Sequence, residues 1–514
     1  MRATDEVIPM TKSRGNKIGG WRSNEIVRQP RVAIIGAGLS GIGIGIQLKR
    51  EGLQDFTIFD KGSSLGGTWR DNHYPGLACD VPSPYYTWRF APNPTFGGSV
   101  AKGEEILRYA ERTALKEGLA PHFRFNTEVV GATWEGEGWT VTTNQSDAER
   151  FDFVVSAVGF LHHRRELSIP GLNSFQGAVL HTARWDNTVS YKGKRVGVIG
   201  NGSSGTQIMS EIAKDTSKMV AFIRSPQWVY ALNEEKLFNR WWKFKHKWIP
   251  GVWQRTWQSY AHKSDVVTAI LTEPGPAREA FQQGIRDYLI QAVTDPVLRA
   301  KLTPDFDPGC RRLVVSSRLY PALQLPQSVV ERDPIARVVP EGIVTSSGRL
   351  HELDVIVAAT GFDAQAFLTH MNIQGQDGRN IRGEWTDGLR TYFGVAIDGY
   401  PNLFMIGGPQ SPLGTISFIL SGELQGGYAV QWIKAWARAE FSSVVPKASA
   451  VDNFTLEFRA KAKDTVWASG CSSWYLDSTG VPSAWPFTRA RFMAEMTERR
   501  LDDFVIVPVD SRGR

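Results

Sequence analysis

Arg31-Val-Ala-Ile-Ile35-Gly36-Ala-Gly38-Leu-Ser-Gly41 decides the fold. Its short β-branched run predicts a buried strand, and the glycines open a helical stretch ending near Lys49-Arg50-Glu51-Gly52. Glycine in a G-x-G-x-x-G pattern permits a tight turn, lets backbone approach a pyrophosphate, and lets helix and strand pack closely. The helix N-terminus then offers N–H donors and the positive end of its dipole. Phe56-Thr-Ile-Phe59 reads as the next strand, and Asp60 stands at its end, where a carboxylate accepts hydrogen bonds from a ribose. The unit is βαβ, so the sheet is parallel and the class is α/β.

The pattern recurs. Arg195-Val-Gly-Val-Ile199 is a strand, Gly200-Asn-Gly202-Ser-Ser-Gly205 follows it, and a helix runs to about Lys214 before the strand Met219-Val-Ala-Phe-Ile223. Here Arg224-Ser225 stands where the first unit has Asp60. A guanidinium pairs with a 2′-phosphate that a carboxylate would repel. The first unit therefore suits the adenosine of FAD or NAD, and the second suits NADP. Two Rossmann-like dinucleotide-binding domains in one chain describe a flavoprotein that draws hydride from NADPH.

Composition sets the bounds around these motifs. At one unit per roughly 150 residues, 514 residues make about three structural units. With 42% hydrophobic and 22% charged residues, disordered, collagen-like and coiled-coil readings fall away. The net charge of +7 reads as spread along the chain with no run of five or six basic residues, so nucleic acid is not an expected partner. Cys79, Cys310 and Cys471 lie far apart without a Cys-x-x-Cys, which disfavours a disulfide framework, a redox dithiol and a zinc site. No metal is expected. The N-terminus lacks the apolar stretch of a signal peptide, and the apolar run from Val32 to Leu48 is broken by five glycines. The expectation is a soluble, cytoplasmic protein without a membrane partner, monomeric or weakly oligomeric.

Residues 1–30 mix Lys, Arg, Gly, Asn and Ser without periodicity and read as an N-terminal extension. Residues 31–165 and 388–514 form the expected FAD-binding domain, and 175–231 with 330–385 the NADP-binding domain. Between them, 232–329 reads as a helical insertion rich in tryptophan: Trp241, Trp242, Trp248, Trp253 and Trp257.

A flavoprotein of this kind could be a disulfide reductase, a heteroatom (N- or S-) oxygenase or a Baeyer–Villiger monooxygenase, and the missing cysteine pair removes the first. Two longer stretches bear on the remaining pair. One is Gly66-Gly67-x-Trp69-x-x-x-x-Tyr74-Pro75-Gly76-x-x-x-Asp80; the other is Phe175-x-Gly177-x-x-x-His181-x-x-x-Trp185-Asp186. Together they resemble the two fingerprints of type I Baeyer–Villiger monooxygenases, and the resemblance runs from Arg31 into the C-terminal region. It implies FAD and NADPH as cofactors, and O2 and a small-molecule ketone as substrates. The ketone would be converted to an ester or lactone through a C4a-peroxyflavin, with sulfoxidation as a side activity. A heteroatom oxygenase is the alternative.

The resemblance also assigns residues. Arg312, in Gly309-Cys310-Arg311-Arg312, corresponds to the catalytic arginine and Asp80 to its carboxylate partner; Arg311 replaces a lysine usual at the NADP phosphate. Gly36, Gly38, Ser40, Gly41, Asp60, Lys61, Gly67, Thr68, Trp69, Asp80, Tyr86, Val129 and Gln410 fall to FAD. Gly200, Gly202, Ser203, Ser204, Gly205, Gln207, Arg224, Ser225, Arg311, Arg312, Thr360 and Trp474 fall to NADP. Phe175, Gly177, His181, Trp185 and Asp186 belong to an interdomain linker. A histidine beside Trp and Asp there reads as structural rather than as a base. Ala359-Thr360-Gly361 resembles the strand-end signature of these flavoproteins, and Cys471 reads as a packed residue.

Overall fold

The computed structural model describes residues 25–145, 148–231 and 236–509. Most of the expected N-terminal extension lies outside them. Of its end, Val27 and Arg28 donate backbone N–H groups to Ala437, and Arg28 sits over the Trp436 ring at 3.4 Å.

Val32–Ile35, four consecutive buried residues, lies at the centre of a five-stranded parallel sheet. The order is Leu403–Met405, Phe153–Ser156, Val32–Ile35, Phe56–Phe59 and Phe123–Arg124. The central strands are mostly apolar because both faces of the sheet are covered. The helix Leu39–Arg50 buries Ile42, Ile44, Ile46 and Leu48 and packs on the long helix Phe418–Ala437. The second parallel sheet runs Ser328–Glu331, Lys218–Phe222, Arg195–Ile199, Val355–Ala358 and Ala178–His181. The third glycine of each motif does the same work in both domains. A Cβ on Gly41 would lie 1.9 Å from the Gly36 carbonyl oxygen, and one on Gly205 would lie 2.1 Å from that of Gly200. Only glycine lets each helix sit that close to its own turn.

Two boundaries differ from expectation. Asn372–Gln374 pairs in parallel with Val129–Trp134, in a sheet completed by Trp139–Thr143 and Glu149–Phe151. Phe367, Leu368, Ile373, Ile381 and Trp385 share a core with Trp134, Trp139 and Phe151. The chain has thus returned to the first domain well before residue 385, drawn by apolar burial that local sequence does not reveal. The insertion, in turn, is not wholly helical. Val229–Tyr230 pairs with Val314–Val315, and Ser328–Glu331 is an edge strand of the second sheet. Between these run the helices Arg240–Trp248, Val252–Thr272, Pro276–Ala292 and Pro296–Leu302.

Candidate active site

One cavity of about 970 Å³ reaches from the first glycine motif to the opening of the second. Gly36, Gly38, Ser40, Asp60, Lys61, Gly67, Thr68, Trp69, Asp80, Tyr86 and Val129 line it on the first domain's side. Asp60 Oδ2 accepts from the Ala37 N–H at 2.8 Å, while Oδ1 accepts from Gly62 N–H at 2.7 Å and Arg70 Nη1 at 2.9 Å. The turn, the strand end and the loop after it are thereby tied together. Trp69 Nε1 donates to the Tyr86 hydroxyl at 3.3 Å, and burial pushes that phenol well above its ordinary pKa, so it stays neutral.

The second domain contributes Gly202, Ser203, Ser204 and Gln207 from the turn and the helix Ser203–Ile212. The first fingerprint is the surface that docks on this helix. Tyr74 donates its hydroxyl to Gln207 Oε1 at 2.9 Å and lies 3.1 Å from Ser204 Oγ; burial pushes its pKa up to about 12. Gln207 Nε2 donates to the Ala78 carbonyl at 2.9 Å. Gly76 (φ +83°) is pressed so close that a Cβ would meet the Gln207 carbonyl oxygen at 2.9 Å.

Beyond the cavity wall, Arg311 Nη1 donates to Ser225 Oγ at 2.9 Å, and its guanidinium covers the Phe306 ring at 4.3 Å. Burial first, and then the charge of Arg224, lower the pKa of Arg311. Its buried Nε has no partner within the described chain. Two cations and a hydroxyl are thus brought close together, with the Asp305 charge opposing the loss of charge on Arg311.

At the centre, Arg312 Nη2 donates to Asp80 Oδ2 at 2.7 Å. The Asp80 charge, opposed by burial, raises the arginine pKa, so the guanidinium is a permanent cation. Of its side chain 31% remains open, onto the cavity that it lines. The Tyr475 hydroxyl also hydrogen-bonds Arg312, and burial raises this phenol. A Cβ on Gly414 would lie 2.5 Å from that hydroxyl and 3.4 Å from Arg312 Nη1, so a fourth segment closes on the pair. Tyr475 escaped the sequence reading: beside Trp474 it was one more aromatic in a turn.

The cysteine expectation is corrected. Cys310 and Cys471 form a disulfide between the loop of Arg312 and the loop of Trp474 and Tyr475. A sequence separation of 161 residues hides the pairing, because only the fold sets the two loops side by side. Cys79 is free and buried.

The second fingerprint joins the domains without entering the cavity. His181 Nδ1 accepts from the Ala183 N–H at 3.0 Å, which leaves the proton on Nε2, 3.1 Å from Thr360 Oγ1 and 3.3 Å from the Arg165 carbonyl. Burial lowers its pKa and keeps it neutral. Phe175 covers Gly177, where a Cβ would lie 2.3 Å from the Asp354 carbonyl oxygen. Trp185 is buried and accepts at its carbonyl from His73 Nε2 at 2.7 Å, so the two fingerprints touch. Asp186 accepts from the Thr188 N–H at 2.8 Å and caps a turn.

Several expected cofactor residues do not line the cavity. Gly41, Gly200 and Gly205 pack behind it. Arg224, Ser225 and Arg311 lie to one side. Thr360 holds the linker histidine. Gln410 (φ +67°) is buried and accepts from Thr391 N–H at 3.0 Å, so it shapes its own loop. Trp474 does line the cavity. Among the described residues, no cluster of three or more His, Cys, Asp or Glu could hold a metal ion, and no helix is long and apolar enough to cross a membrane.

A family model described as flavin-binding monooxygenase-like matches residues 29–240. A Baeyer–Villiger monooxygenase of Streptomyces coelicolor is 36% identical over 478 residues, 92% of this chain and 91% of that protein. The closed crystal structure of cyclohexanone monooxygenase superposes with a TM-score of 0.84 at 27% identity, covering 94% of this chain and all of that one. The OTEMO complex with FAD and NADP superposes at 0.82 and 25% identity, over 93% of this chain and 100% of its own. The chain belongs to the flavin-binding monooxygenases, in the Baeyer–Villiger group. It is an NADPH-dependent flavin monooxygenase of α/β fold with two Rossmann-like domains, and its cofactors are FAD and NADPH.

The residues present fit those cofactors. A Cβ on Gly202 or Gly361 would meet nothing within 4 Å, so both backbones face open space in the cavity wall. The buried hydroxyls of Thr415 and Ser417, in the same wall, have no partner within the described chain.

Proposed function

We propose that this enzyme converts a ketone to an ester or lactone, with O2 and NADPH consumed and NADP+ and water released, and that Arg312 is its catalytic residue. The observation that carries the reading is the half-buried Arg312–Asp80 pair opening onto the cavity between two dinucleotide folds. FAD would lie against Gly36, Gly38, Asp60, Gly67 and Trp69. The turn at Gly202 would hold the pyrophosphate of NADPH, and Arg224, Ser225 and Arg311 its 2′-phosphate. When bound, FAD accepts hydride from NADPH, activates O2 and delivers one oxygen atom.

The chain's own residues supply the rest. The Arg312 cation stabilises negative charge on the reacting oxygens, where low dielectric makes it count. Asp80 and the Tyr475 hydroxyl fix the guanidinium's orientation and pin its charge. Trp474 and Leu413 cover the reacting region and exclude water, which protects a reactive oxidant from hydrolysis. A permanent cation favours oxygen transfer to a carbonyl, where negative charge builds up, over transfer to a neutral sulfide or amine. We read the protein as cytoplasmic, where NADPH is supplied, and as a monomer or weak oligomer.

The test is purified yellow protein with NADPH, O2 and a panel of ketones, scored by gain of one oxygen atom in the product. Arg312→Ala should still bind FAD and be reduced by NADPH, yet make little ester. Ester formation at the parental rate would end the assignment.

A further inference from the structure

We propose that the helix Arg240–Trp248 docks the enzyme on an anionic lipid surface. Its inner side is firmly held. Phe238 stacks on Trp242 at 3.6 Å, Trp242 on His246 at 3.7 Å, and His246 meets Trp253 edge-on at 6.1 Å. His246 Nε2 lies 2.8 Å from Thr256 Oγ1, and Asn239 caps the helix by accepting from the Trp242 N–H at 2.8 Å. This anchoring presents the opposite face outward.

That face is aromatic and bare. Trp241 is 62% exposed, Phe244 51% and Trp248 63%, with Leu237 and Ile249 exposed on either side. At about 100° per residue the three rings fall within roughly 60° of the helix circumference, a single stripe. Trp241 and Phe244 stack on each other at 5.6 Å, and Lys247 sits over Trp248 at 4.7 Å. Basic residues border the stripe on both sides, Arg240 and Lys247 along one edge and Lys245 along the other.

The charge is denser here than the sequence reading allowed. From 236 to 263 there are Lys236, Arg240, Lys243, Lys245, Lys247, Arg255 and Lys263 and no Asp or Glu. This one segment carries as much net positive charge as the whole chain. Intervening aromatics break up the runs, so the excess read as diffuse. Tryptophan and phenylalanine rings sit at headgroup depth with an apolar body in the acyl boundary, while Lys and Arg stems extend along the surface to place their cations among phosphates. A second copy of this face would set like charge against like, which favours the lipid. An interfacial helix lies in the plane of the bilayer, so the lack of a spanning helix has no bearing on it. The adjoining helix Val252–Thr272 lines the cavity further along, through Lys263, Ser264 and Val267.

The test uses the FAD-loaded enzyme sedimented with vesicles of phosphatidylcholine alone, or with phosphatidylglycerol added, at low and high salt. Wild-type protein should pellet with the anionic vesicles, with a blue shift of tryptophan emission, and be released by salt. Arg240→Gln, Lys245→Gln and Lys247→Gln together should weaken partitioning about a hundredfold, at roughly fivefold per charge. Trp241→Ser with Trp248→Ser should abolish pelleting. Both variants should turn over a soluble ketone at the parental rate without vesicles, which shows that they fold. Four results would overturn the proposal: no pelleting of the wild type, equal pelleting with neutral vesicles, unchanged pelleting of the variants, or a wild-type dimer that the tryptophan variant dissolves. Tighter retention on DNA than on anionic vesicles, lost in the same variants, would overturn it too.

Discussion

Replacing Asp80 by Asn removes one charge beside Arg312 and almost nothing else. The amide keeps the carboxylate's shape and an oxygen that can still accept from Nη2. A hydrogen bond between charged partners contributes about 1.5–3 kcal/mol; losing all of it would slow a step that depends on it by roughly 10- to 150-fold, and the neutral amide, which still accepts, forfeits only part of that. Since 31% of the Arg312 side chain and 20% of that of Asp80 remain open, screening puts the effect at the low end, about tenfold. On the proposed assignment the loss belongs to oxygen transfer and not to cofactor binding, since Asp80 orients the cation given the catalytic role. Ester formed per NADPH consumed should therefore fall about tenfold with hydrogen peroxide rising to match, while FAD content and ketone KM stay near parental values. Tyr475→Phe removes the other group that orients the same guanidinium. Because both act through Arg312, the double variant should lose less than the product of the two single losses. Parental coupling in Asp80→Asn would refute the assignment. So would equal loss of ester, NADPH oxidation and bound FAD, which would mark Asp80 as holding the fold.

Arg224→Ala should raise the KM for NADPH about tenfold with little change for NADH, the size of one charged hydrogen bond to phosphate; an unchanged NADPH/NADH preference would count against the proposed phosphate contact. Cys310→Ser and Cys471→Ser should each free the loop of Trp474 and Tyr475 from that of Arg312. NADP+ would then leave faster and more peroxide would leak, and wild-type protein treated with dithiothreitol should behave alike; identical coupling in all forms would show that the disulfide is idle. Burial, with neighbouring positive groups, lowers His162 to about 3 and His163 to about 4. Both are neutral in the folded protein, while the unfolded chain takes up protons below about 6.5, so stability is full above that value and falls as pH drops towards 4. The melting temperature should follow that course, and His162→Asn with His163→Asn should flatten it; an unaltered slope would refute the linkage.

Legibility in the sequence followed locality. Each nucleotide fold is written within about thirty residues: a strand, glycines at fixed spacing, a helix and a strand-end charge. Residue-level reasoning therefore reached both sheets and the contrast between Asp60 and Arg224. The return of residues 367–385 to the first domain was not legible, because its cause is a shared core with Trp134 and Trp139, more than two hundred residues away. The fingerprints lie between these cases. Their spacing was visible, but the reason for it is contact between domains: Tyr74 on Gln207, Gly76 against a backbone oxygen, His73 on the Trp185 carbonyl.

The centre itself is the extreme of this gradient. Asp80, Arg312, Gly414 and Tyr475 come from four distant segments, and no spacing rule can join them. A resemblance could supply the first two, since each sits in a recognisable string. It could not supply Tyr475, nor the disulfide beside it, which a pair of lone cysteines gives no local reason to expect. Those two features share a position, on the loops carrying Arg312 and Trp474. The fold thus concentrates non-local contacts around the one cation that the proposed reaction depends on. That cation is held by a carboxylate from the first domain, a phenol from the C-terminal region and a covalent tie between the loops, so its direction is fixed by three segments rather than by its own loop alone.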